Sequence, residues 1–140
     1  MLCLQQEQLI KNSDKLAAAA KSEGDALVQV AKLRGDAKAL AEAEAQSADM
    51  SAAAAGRSAA ARRERVQTLQ GEFDAKLKLL AGNPAEMQAR EAEITALRTK
   101  IAAVQAEAQA SAQAAASAGM EAAQRATAAK AYDDNSAAVD

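Results

Sequence analysis

Apolar positions fall on two helical stripes that mirror one another about a single break. Downstream of Pro84, Met87, Ile94, Leu97, Ile101, Val104, Ala108, Ala115, Ala118 and Ala122 follow the alternating three- and four-residue spacing of a helix seam, with Arg90 and Ser111 as polar exceptions. Upstream of Gly82, Leu80, Leu77, Phe73, Leu69, Val66, Ala59, Ala55, Ala52, Ala48, Ala45 and Ala41 do the same, interrupted at Arg62 and Arg63. Large side chains stand near the break on both stripes, and alanines stand far from it.

At the break, Gly82 suits the left-handed residue that follows a helix end, while Asn83, Pro84 and Glu86 match the N-cap, first and third positions of a new helix. The pattern predicts an all-α fold in which a first leg over 41–81 and a second leg over 85–131 form an antiparallel hairpin about a turn at 82–84. Residues whose numbers total 163 to 164 would then face each other: Leu77 with Met87, Leu69 with Ile94, Val66 with Leu97, Ala59 with Val104, Ala55 with Ala108, Ala48 with Ala115. Legs of about 40 to 45 residues reach roughly 60 to 65 Å at 1.5 Å per residue. The packing seam is expected at Val66, Leu69, Phe73, Leu77, Leu80, Met87, Ile94, Leu97, Ile101 and Val104.

Residues 1–40 carry a further apolar pattern of Leu9, Leu16, Leu27, Val30, Leu33, Ala37 and Leu40, with Gly24 and Gly35 as candidate kinks or breaks. This segment either extends the first leg or folds onto it as a third helix. The acidic stretch 132–140 leaves the alanine pattern, so the helix is expected to end near Ala131 with the tail exposed or docked on a partner.

Composition changes how this fold is held. Alanine supplies 43 of the 140 residues, with one Phe, one Tyr and no Trp, so no large core can be built. Alanine makes helix formation cheap, but a buried methyl returns far less than the roughly 1.5–3 kcal/mol of a buried Leu or Phe. A net charge of -2 and a single proline argue against a disordered chain. Long helices with weak seams therefore point to a coiled coil within a larger oligomeric assembly, with copies of itself and other structural proteins as partners. No basic stretch leading an apolar run opens the chain, and no run of 18 uncharged apolar residues suits a membrane span. The expected compartment is cytoplasmic.

Candidate chemistry is sparse. Histidine is absent, and Cys3 is the lone cysteine, which removes the usual general base, the usual metal ligand and any Cys-His pair. Cys3 reads as a small apolar residue beside Leu2 and Leu4. Glu42 and Glu44, like Glu91 and Glu93, stand two apart and do not share a helix face. No catalytic residue, cofactor or metal site is expected. Arg57, Arg62, Arg63 and Arg65 are the candidate phosphate contacts, which leaves non-specific DNA contact open; the plainer reading is a solvated face paired with Glu64 and Glu72. Ala115 and Gly119 form a small-xxx-small pair that would let helices approach closely, in a soluble bundle or in a ring of amphipathic helices touching membrane.

The Ala/Gln/Ser-rich helices with scattered arginines, Ala41 to Arg65 and Gln105 to Lys130, resemble the internal virion proteins of short-tailed bacteriophages, the small core or ejection proteins that leave the capsid with the genome. The resemblance is compositional and spans most of the chain. It implies a multi-copy helical virion component that assembles about the portal and helps build a conduit for DNA. A cellular coiled-coil adaptor or scaffold, or a spanin-like lysis coiled coil, would use the same seam.

Overall fold

Glycine in the left-handed region is what first turns this chain back on itself. A computed structural model describes the backbone of residues 2–139 and the side chains of residues 4–132. Helix α1, Leu2–Arg34, ends where Gly35 adopts a φ of 68°, the only positive φ among the described residues, a conformation that costs a Cβ-bearing residue about 1–2 kcal/mol. Asp36 then caps α2, Ala37–Leu80, its carboxylate accepting from the amides of Lys38 at 3.0 Å and Ala39 at 3.5 Å. The first boundary thus lies at 35–36 and not at 40–41.

The second reversal is longer than the expected three-residue turn. Asn83 caps the six-residue α3, Pro84–Ala89, accepting from the Glu86 amide at 3.1 Å, with Pro84 in the first turn. Gly82, by contrast, is not left-handed. Arg90 interrupts the second leg at φ -106° and ψ 14°; its amide donates to Glu86 and Met87 carbonyls, and its own carbonyl accepts from Ile94 to start α4, Glu91–Val139. No helix end falls at Ala131. The side chains of Cys3 and of most of the acidic tail, 133–140, lie outside the described residues.

Spending 81–90 on the reversal moves the register. Among the described residues, three ion pairs cross from α2 to α4: Arg62 to Glu107 at 3.4 Å, Lys76 to Glu93 at 2.7 Å and Arg125 to Glu44 at 2.9 Å. The partners' numbers total 169 in each pair, five to six more than the 163 to 164 of a tight turn. Each seam position therefore moves on to the next heptad, and Leu69 comes level with Ile101 in place of Ile94.

The apolar cluster sits at this end of the hairpin. Leu69, Phe73, Leu80, Ile94 and Ile101 are buried, and Leu77, Met87, Leu97 and Val104 pack against them. Val66, the tenth expected seam residue, is half-buried outside that cluster. Away from the tip, Ala108, Ser111, Ala115, Ala118 and Ala122 carry the α4 side of the seam as methyl and hydroxyl groups.

Residues 2–34 fold onto the first leg as a third helix, leaving α2 central; it packs against both α1 and α4, which do not pack on each other. The buried or half-buried residues of α1 are Gln6, Ile10, Ser13, Ala17, Ala20, Gly24, Leu27, Val28 and Ala31. Small residues serve here because the axes come close: a Cβ on Gly24 would fall on the Ser47 side chain and within 3.2 Å of its Cα. Leu9, Leu16, Val30 and Leu33 of the expected apolar pattern are exposed instead.

Candidate functional site

Where α1 crosses the middle of α2, Asp14, Ser58 and Arg62 of the two helices are bound into one network with Glu107 of α4 beside it, and an Arg65–Glu7 pair stands next to it. α2 carries Ser58, Arg62 and Arg65 at three- and four-residue steps, so they stand on one side of the helix, and Ser58 and Arg65 are buried. Asp14 of α1 meets Ser58 and Arg62. Its carboxylate accepts two hydrogen bonds from the Arg62 guanidinium, at 2.8 Å and 2.7 Å, and a third from the Ser58 hydroxyl at 2.5 Å. This fork-to-fork pairing is the geometry in which arginine binds carboxylate or phosphate most specifically. Arg62 also donates to Ser58 at 2.6 Å and reaches Glu107, so one side chain ties α1 to α4 through α2.

One helical turn further, Arg65 is 3% exposed and donates through Nη2 to Glu7 at 3.2 Å. Its Nη1 has no acceptor, nor has the buried Oε1 of Gln6 a donor, although the Gln6 amide nitrogen donates to Thr68 at 2.6 Å. A buried charge left partly unsatisfied is costly, so this guanidinium is held by its surroundings more than by its partners.

The electrostatics follow from the contacts. The hydrogen bond from Arg62 holds the Asp14 carboxyl at about 2, below its ordinary 3.8, outweighing the opposing loss of hydration; Ser58 and the guanidinium charge act in the same direction. Glu93 is likewise held down by its hydrogen bond to Lys76.

The four sequence-singled arginines do not form one face. Arg62 and Arg65 turn into the helix contacts and pair across helices, while Arg57 and Arg63 are exposed. Arg63 stands about 160° round α2 from Arg65, at 100° per residue. Gly119 has nothing within 4 Å of where a Cβ would stand, so the close approach lies at Gly24 and not at the Ala115/Gly119 pair. Asp14 and Glu7 escaped notice in the sequence because carboxylates in a helix are common; the signal was their seven-residue spacing, which puts both on one side of α1.

Between α1 and α4, over α2, runs a shallow channel. One stretch, about 430 Å³, has Ser47, Ala48 and Ser51 as its floor, with Lys21 and Asp25 on one wall and Glu121 and Arg125 on the other. Its mixed charges favour no ligand class. Among the described residues, no group of three or more Cys, Asp or Glu is placed to hold a metal ion, and no helix is long and apolar enough to cross a membrane. No protein-family model matches the chain, and no curated protein and no solved structure matches it.

Proposed function

We propose that this chain is a non-enzymatic structural protein that works as one of several copies in a helical assembly, of the kind formed by internal core or DNA-ejection components of phage virions. The observation that carries the reading is the surface left over. The chain exposes 9261 Å², against roughly 6,800 Å² for a compact monomer of 14.4 kDa on the usual surface scaling. Long, thin helices account for that excess, and large apolar side chains stand on it: Leu4, Leu9, Leu16, Val30 and Leu33 of α1, Leu79 of α2, Met120 and Tyr132 of α4. Scattered exposed apolar residues are ordinary, but α1 turns mostly small residues inward and sets Leu4, Leu9, Leu16, Val30 and Leu33 outward. That inversion supports a partner helix or a second copy on the outer side.

The test is the solution mass by light scattering, with circular dichroism of the same sample. A defined, highly helical oligomer supports assembly through these surfaces. A helical monomer at high micromolar concentration would overturn self-assembly. If the protein comes from a phage, its absence from purified particles would remove the virion reading.

A further inference from the structure

The basic cluster on α2 is covered by the acidic side of α1. Glu7 and Asp14, seven residues apart on α1, occupy Arg65 and Arg62, three residues apart on α2. The covered surface is built for an anion with more oxygens than these two carboxylates supply. Arg65 is buried with Nη1 lacking an acceptor, and Arg62 is engaged in a bidentate fork. Neither feature is what a helix seam needs for stability, since a buried guanidinium could be replaced by an apolar residue at little or no cost.

We infer that α1 is a displaceable cover over a polyphosphate-binding face of α2, with Glu7 and Asp14 standing where the phosphates of duplex DNA bind when the cover is off. Removing α1 opens the face that Arg62 and Arg65 share. They stand three residues apart, about 4.5 Å along the helix, against one phosphate per ~3.4 Å of each DNA strand. Arg57 and Arg63 are exposed with α1 in place and take no part. Facing α2 the cover offers chiefly small residues, Ser13, Ala17, Ala20, Gly24 and Ala31, with Ile10, Leu27 and Val28 only half-buried and the two ion pairs beside them, while Leu9, Leu16 and Leu33 face outward. A partner that takes those leucines would draw α1 away and uncover the arginines. The inference does not depend on the virion reading, because the pairing exists in the isolated chain.

The experiment uses the full chain and a duplex DNA of about 30 base pairs, with affinity followed by fluorescence anisotropy between about 50 and 200 mM salt. Gly24→Leu displaces α1 without altering charge, because its side chain would have to occupy the space of Ser47. Exchange of the α1 amides reports the displacement. The expected result is faster α1 exchange, DNA affinity at low salt at least about tenfold higher, and a log–log salt slope steeper by about 2, since each arginine freed to meet a phosphate adds roughly 0.9. Adding Arg62→Gln and Arg65→Gln in that background should return both to the parent values.

Glu7→Gln with Asp14→Asn is the second route to the same state, with Asp25→Asn and Glu91→Gln as the control for equal loss of negative charge. Released α1 amides with unchanged DNA affinity overturn the inference, as does a gain that survives removal of Arg62 and Arg65. Unchanged α1 protection in both variants overturns it equally, since the cover would then not be displaceable.

Discussion

Two leucines ten residues apart on α2 should respond very differently to the same truncation. Leu69 is 2% exposed within the apolar tip, and Leu79 is 83% exposed beside it. Leu→Ala in a packed core costs about 2–5 kcal/mol, the spread reflecting how far the cavity relaxes. Leu69 lies in a thin seam of packed helices and not in a thick core, so partial collapse is easy and the lower half applies, about 3 kcal/mol for Leu69→Ala. Leu79→Ala removes no buried contact and should stay within about 0.5 kcal/mol. With a urea dependence of about 2 kcal/mol per molar, these become midpoint shifts of about 1.5 M and at most about 0.25 M. The assay is urea unfolding followed by circular dichroism at one fixed protein concentration, because self-association would add to apparent stability. Equal shifts, or a larger one for Leu79→Ala, would refute the assignment of the core to the Leu69 face.

Other perturbations separate the remaining features. Asp14 has a depressed folded pKa, so its contribution is complete above its ordinary 3.8 and is lost as pH falls through about 2; the difference in stability between the parent chain and Asp14→Asn should shrink across that window in acid titrations of unfolding. Gly35→Ala should lower stability by about 1–2 kcal/mol in thermal melts because of its positive φ, whereas Gly82→Ala should raise it by about 0.4–1 kcal/mol. Ile101→Asp places an unpaired charge in the tip and should cost about 4 kcal/mol or more in the same melts, while exposed Gln88→Ala leaves them unchanged.

The tip was legible in the sequence because large side chains at three-four spacing have only one way to be buried together: of the ten residues from Val66 to Val104 expected on the seam, all but Val66 form the observed cluster or pack on it. The Asn83-Pro84 cap was legible for the same local reason, since its chemistry lies within four residues. The orientation of α1 was not. Hydrophobicity points to Leu9, Leu16 and Val30 as the buried stripe, but close approach to α2 rewards the smallest side chains, and Gly24 against Ser47 sets the spacing. Arg62 and Arg65 read as a basic patch for a related reason: their carboxylate partners stand 48 and 58 residues away in sequence, and no local pattern announces them.

The break at Arg90 and the alignment of the two long helices are one variable. Were Arg90 to become helical, α3 and α4 would join into a single rod, the loop would shorten to 81–83, and α4 would advance along α2 by about one heptad, roughly 10 Å. In the alanine stretch methyl would still meet methyl, so that interface is nearly indifferent to which step it occupies, like a rack whose teeth are all alike. Arg62–Glu107, Lys76–Glu93 and Arg125–Glu44 are what distinguish one tooth from the next, and exposed pairs of this kind contribute at most about 1 kcal/mol each and weaken in salt. Those three pairs, together with the few large side chains at the tip, set the length of the hairpin.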